Sequence, residues 1–155
     1  MDKIVTDLEI QNLEENINKI NINSNDKSEN INYTYVLLLN NFNFYIGHTT
    51  DIVERLCNHY CYSEKSSKWV IKNKPIITIY EIIKNSKKED EKYKTLEFMK
   101  KFGWKNVRGY AWCQNKIKKE PLLLQCFKYD RVDFEYMSSN EIREIFDKVK
   151  NKLKE

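Results

Sequence analysis

The sequence predicts an α+β protein: a small three-stranded β-sheet flanked by helices, with extra helices at the N- and C-terminal ends. Two observations indicate the sheet. Tyr33–Leu39 and Phe42–Gly47 are β-branched, aromatic and apolar runs on either side of Asn40-Asn41, the pattern of a hairpin. Pro75 then opens a third such run that reaches Ile83. A third observation indicates the helices: Asp51, Ser86 and Ser138 each stand three residues before a glutamate and ahead of apolar residues at helical spacing.

Taken in order, Ile4, Leu8, Leu13, Ile17 and Ile20 recur at roughly helical intervals, which predicts a helix over 3–20. Residues 21–32 are polar and aperiodic and read as an Asn-rich linker. After the hairpin, Ile52, Leu56 and Tyr60 predict a helix over about 51–61. A polar, lysine-rich stretch around Trp69-Val70 leads to the third strand. Tyr93, Leu96, Met99 and Phe102, closed by Gly103, predict a helix over 87–102. The 110–137 stretch has no clear period. Ile142, Ile145, Phe146, Val149 and Leu153 make the apolar face of a final helix. The chain divides into an acidic helix and linker (1–32), a central domain (33–112) and a C-terminal extension (113–155).

Composition bounds the function classes. At 155 residues and mean hydropathy −0.74, the chain is sized for one ordinary domain and lacks the roughly 20-residue apolar run of a membrane span. Its first residues show neither a basic start nor an apolar stretch, so an intracellular protein without a membrane partner is expected. The four cysteines contain no CxxC pair; reduced thiols are expected, with a zinc clamp of Cys57, His59, Cys61 and Cys113 as the rival reading. Charge is unevenly spread: residues 1–32 carry a net −4 and residues 33–155 a net +8. Residues 92–119 hold nine Lys and Arg against the single acid Glu97, the density of a phosphate-facing surface or of a solvated helix face. Lys100, Lys101, Lys105, Arg108 and Lys116 are the candidate nucleic-acid contacts.

Within this frame one ordered set of residues stands out. Tyr45-Ile46-Gly47 lies on the second strand, Tyr35 ten positions earlier on the first, and Arg55 ten positions later on the first helix. His59 follows Arg55 by one helical turn, on the same face. A second block, Thr95 to Gly109, contains Gly103-Trp104-Lys105-Asn106-Val107-Arg108-Gly109. Together these resemble the GIY-YIG nucleases over about residues 33–112. The chain departs from the family pattern at Tyr33-Thr34-Tyr35, which lacks the first glycine, and at Tyr110, which stands where one branch has a second glycine.

The resemblance implies a small GIY-YIG fold and a metal-dependent endonuclease that hydrolyses DNA. It implies Tyr35 as general base, Arg55 on the phosphate, and Tyr45 and His59 orienting the water or assisting proton transfer. Glu91 would be the ligand of a single Mg²⁺ or Mn²⁺, Gly47 and Asn106 would support the site, and cutting of both strands could use a homodimer on the DNA. Taken residue by residue there are rivals. Tyr35 and Tyr45 also suit the packed face of a sheet, and His59 a packing role. Glu89, Asp90 and Glu97 compete with Glu91, although Glu97 has Lys101 at i+4, the spacing of an exposed ion pair. The alternative to an enzyme is a binding module of the same fold that has lost turnover.

Overall fold

The computed structural model describes residues 31–126 and 133–155; the helix expected over 3–20 and nearly all of the linker lie outside them. The chain begins with β1 (Tyr33–Leu39) and β2 (Asn43–Thr49), joined by a 3₁₀ turn at Asn40–Phe42. Asn41 and Phe42 take left-handed backbone there, at φ 59° and 57°. Next come α1 (Ile52–Tyr60), a short α2 (Lys68–Lys72), β3 (Ile76–Lys84) and α3 (Lys88–Phe102). A 3₁₀ turn leads to β4 (Val107–Gly109), and α4 (Leu122–Gln125), β5 (Glu135–Tyr136) and α5 (Ser139–Leu153) complete the fold.

The α+β class holds, but among the described residues the sheet has five strands rather than three, in the order β4-β2-β1-β3-β5. The hairpin and β3 form the antiparallel centre; β4 adds in parallel to β2, and β5 pairs antiparallel with the end of β3. Both added strands are two or three residues long, too short for an alternating pattern to show in sequence.

Alternation along β1 decides what each face of the sheet packs against. Tyr35, Leu37 and Leu39 point to the side covered by α1, α2 and α5, where they meet Leu56, Val70 and Val149. Val36, with Phe44 and Ile46 of β2, points to the opposite side, against Leu96, Phe98 and Met99 of α3. The C-terminal extension is therefore part of the same core: Val149 is fully buried, and Tyr60 of α1 stacks near Phe146 at 5.3 Å between ring centres.

The caps follow the sequence signals with one exception. The Asp51 carboxylate accepts from the Glu54 N–H at 3.1 Å, and Ser138 and Glu141 form a reciprocal capping box at 3.1 and 2.8 Å. Ser86 does not cap α3. Its hydroxyl is buried and accepts from Thr34 Oγ1 at 2.9 Å, while the Lys87 N–H donates to the Asp90 carboxylate at 2.7 Å. The signature slipped by one residue because β1 offered Ser86 a buried partner. No helix among the described residues is long and apolar enough to cross a membrane.

Candidate active site

Tyr35 stands at the centre of the site. It faces Gly47 across β1 and β2, and a Cβ built on Gly47 would run into the Tyr35 ring and hydroxyl. The missing side chain at 47 leaves the space that the phenol fills. Helix α1 supplies the two partners of that phenol. Arg55 Nε donates to the Tyr35 hydroxyl at 3.2 Å, and His59 Nε2 lies 2.8 Å from the same oxygen. The two side chains are four residues apart on a helix, so they descend on one tyrosine from successive turns.

Tyr45, two residues before Gly47, points to the same face of the sheet. Its ring centre is 6.3 Å from that of Tyr35 and 5.4 Å from that of His59, and the Arg55 charge acts on its hydroxyl. Arg55 is half-buried and tied down at its other end, where Nη1 donates to the Lys65 carbonyl at 2.6 Å. Tyr35 and His59 are fully buried and Tyr45 nearly so, which leaves Arg55 as the solvent-facing member of this group.

Glu91 arrives from α3, the helix on the opposite face, and sits at the sheet margin where β4 ends. Its Oε2 accepts from the Tyr110 N–H at 3.3 Å. Gly109, just before, lets helix and strand approach: a Cβ there would lie 2.7 Å from both the Ile46 carbonyl and Thr95 Oγ1. The Glu91 charge acts on both Tyr35 and Tyr45. Of its competitors, Glu89 is exposed on the first turn of α3 and the other two are committed elsewhere. Asp90 is buried as the α3 cap, and Glu97 holds Lys94 at 2.7 Å and Lys101 at 3.8 Å.

The electrostatics follow from burial. Desolvation, and then the neighbouring Tyr45 phenol, hold Tyr35 far above its ordinary value, with Arg55 pulling the other way. Burial and the nearby Cys113 push Tyr45 up to about 12. Burial, then the Arg55 charge, lowers His59 to about 3, so its imidazole is neutral at physiological pH. Burial also raises Glu91, offset in part by the Tyr110 N–H and the charge of Lys88.

The remaining candidates lie outside the cluster. Lys100, Lys101, Lys105 and Lys116 are exposed. Asn106 donates to the Phe102 carbonyl at 2.9 Å and closes the C-terminus of α3, the end away from Glu91. Arg108 is 3% exposed and is no surface contact: its guanidinium donates to the carbonyls of Gln114 (2.6 Å), Asn115 (3.0 Å) and Val107 (2.9 Å) and stacks 4.1 Å from the Trp69 ring. Two loop carbonyls, one from β4 and an indole outcompete solvent for its planar fork. The zinc clamp does not form: Cys57 is in the core, and the second nitrogen of His59, Nδ1, lies 2.7 Å from the Ser66 hydroxyl. Among the described residues no group of three or more His, Cys, Asp and Glu side chains is arranged around a common point.

Sequence reasoning missed Ser66, Trp69 and Tyr110. A signal existed for the first two: Ser66-Ser67 precede Lys68-Trp69-Val70, and Ser67 caps α2 by accepting from the N–H groups of Trp69 (3.0 Å) and Val70 (3.4 Å). That cap orients Trp69, whose Nε1 donates to the Phe44 carbonyl at 3.0 Å. Nothing in the sequence marks the backbone of Tyr110 as a partner of Glu91. A separate groove of about 370 Å³ between β3 and α5, lined in part by Tyr60, Ile79, Ile142, Arg143 and Phe146, contains none of the five site residues. In comparisons with known proteins, no family model, no curated protein and no solved structure matches this chain.

Proposed function

We propose that the protein is a GIY-YIG-type nuclease that hydrolyses phosphodiester bonds in DNA with the help of a divalent cation. The observation that carries this reading is the Tyr35 hydroxyl, bonded by Arg55 Nε at 3.2 Å and by His59 Nε2 at 2.8 Å, with Tyr45 and the Glu91 charge beside it. Packing alone does not require a buried phenol to be gripped by both an arginine and a histidine, and the same five residues carry the sequence resemblance.

The residues present fit a hard cation such as Mg²⁺ or Mn²⁺. Glu91 is a partly exposed carboxylate whose desolvation is only partly offset, with one oxygen engaged by Tyr110. A single protein carboxylate suits a metal that keeps most of its waters. Bound there, the ion would supply positive charge to the phosphate and acidify a water. Arg55 would offer its solvent-facing guanidinium edge to a phosphate oxygen. Tyr35 would take the proton of the attacking water, and Tyr45 would orient that water. The exposed lysines 100, 101, 105 and 116 would hold the backbone of the DNA without reading its sequence.

One observation favours the second reading, a binding module without turnover: Tyr35 is fully buried and held protonated. A plasmid-nicking assay separates the two. Purified protein in Mg²⁺ or Mn²⁺ is expected to convert supercoiled plasmid to nicked circle. Retarded plasmid that is never cut in either metal would overturn the nuclease reading in favour of binding alone. Linear product in excess of random nicks would mark two copies acting together on the DNA.

A further inference from the structure

We infer that Ser66 is a positioning residue of the active site: it fixes the tautomer of His59 and ends a proton relay that begins at Tyr35. This rests on the nuclease reading above and deepens it. A tyrosine hydroxyl has one proton to give and accepts through its lone pairs. At Tyr35 one lone pair is taken by Arg55 Nε–H at 3.2 Å, a group that can only donate. The phenol proton is therefore directed to the other close partner, His59 Nε2 at 2.8 Å. Accepting there requires Nε2 to be bare. A neutral imidazole with a bare Nε2 carries its proton on Nδ1, and that nitrogen lies 2.7 Å from Ser66 Oγ. The hydrogen bonds then run one way, from Tyr35 O–H to Nε2 and from Nδ1–H to Ser66 Oγ.

The direction matters for the chemistry. Because burial keeps Tyr35 protonated, it can act as a base only by releasing its own proton as it takes another. Tyr35 has no exposed surface in the resting site, so the step begins when Arg55 turns onto the phosphate and opens the hydroxyl to the water; the water O–H bond then breaks and a new O–H forms on Tyr35. The former Tyr35 proton forms an N–H at His59 Nε2. His59 does not retain a second proton in its buried setting, so the Nδ1–H bond breaks and the proton passes to Ser66 Oγ, whose own proton leaves to solvent. The hydroxide formed attacks phosphorus and the departing oxygen takes a proton from solvent; the transfers then reverse, with a solvent proton entering at Ser66 Oγ, Nδ1–H re-forming, the Nε2 proton returning to Tyr35 and Tyr35 releasing the proton it gained. Of the three residues in the relay Ser66 lies nearest the surface: it is buried but retains 8% exposure, whereas Tyr35 and His59 retain none.

Sequence signals agree with a local role for Ser66. Its neighbour Ser67 caps α2, and the Ser66 N–H donates to the Ser63 carbonyl at 2.9 Å, so the backbone around the hydroxyl is fixed without using that hydroxyl.

The test is nitrogen-15 NMR of the imidazoles in the full chain, which has two histidines; His48→Gln assigns the signals by leaving only those of His59. His59 in the otherwise unaltered protein should be neutral with the proton on Nδ1. Ser66→Ala should shift the population toward the Nε2–H form, and Ser66→Thr should restore the original signature. In the nicking assay Ser66→Ala should lower kcat by about 10- to 100-fold with KM within about twofold, and Ser66→Thr should recover most of it. A proton inventory of the unaltered enzyme in mixed H₂O and D₂O should curve, since more than one proton moves; this arm stands even where Ser66→Ala fails to fold. A His59 proton on Nε2, an unchanged tautomer in Ser66→Ala, full cutting by that variant, or a linear inventory would each overturn the relay. Absence of cutting by unaltered protein overturns the nuclease reading itself, while the tautomer measurement still decides the direction of the hydrogen bonds.

Discussion

Tyr35 and Gly47 are register partners across β1 and β2, and the ring of the one occupies the space in which the other would carry a Cβ. The placement of the proposed base and the strand pairing thus depend on the same pair of residues. Gly47→Ala is expected to push Tyr35 away from Arg55 and His59, at a cost of about 1–3 kcal/mol from overpacking. Urea titration should register the loss of stability, and plasmid nicking should fall by at least about tenfold, as expected when a reacting group is misplaced. Unchanged nicking by a folded Gly47→Ala protein would count against Tyr35 as the base.

Arg55 and Glu91 are the two members of the site that keep surface toward solvent. Arg55→Ala and Glu91→Gln should each reduce cutting by about 100-fold or more, the scale of removing one preorganised electrostatic interaction with a developing charge. Neither side chain lies in the apolar core, so thermal midpoints should move little. Full activity in either folded variant removes that residue from the mechanism.

The basic segment separates into two kinds of cation. Arg108 is committed to loop carbonyls and the Trp69 ring, so Arg108→Ala should destabilise the fold by at least about 3 kcal/mol. The exposed Lys100, Lys101 and Lys105 should behave in the opposite way. Their combined replacement by alanine should leave the thermal midpoint in place and flatten the salt dependence of DNA binding by about 0.9 in slope for each phosphate no longer neutralised. Calorimetry and gel shifts at several salt concentrations distinguish the two outcomes.

Acid should act on the fold through His59. Its folded value of about 3 lies below its ordinary value near 6.5, so between these limits the unfolded chain binds more protons than the folded one. The stability it contributes is present above pH 6.5 and is lost as pH falls toward 3. At about 1.36 kcal/mol per pH unit, the full effect is on the order of 5 kcal/mol. Urea midpoints measured down this range should fall for the unaltered protein and fall less for His59→Gln, which has no proton to gain. Parallel profiles would show that His59 is not held neutral.

The sequence by itself determined the hairpin, β3, the three longer helices among the described residues and the order in which Tyr35, Tyr45, Arg55 and His59 occur. Each of these rests on local physics: alternation in the strands, helical spacing, and carboxylate or hydroxyl caps at Asp51 and Ser138. Tertiary structure decided the rest. Whether Ser86 or Lys87 began α3 depended on Thr34, 52 residues from Ser86. Whether Arg108 faced DNA or the interior depended on Trp69 and a loop still to be folded around it. Ser66 joined the site because α1 and the loop after it bring Nδ1 of His59 to its hydroxyl at 2.7 Å. Glu91 meets the Tyr110 N–H because β4 pairs with β2 and the chain beyond it passes the Glu91 carboxylate. Periodicity reports which way a side chain points from its own element, but the partner it meets is set by packing between distant parts of the chain.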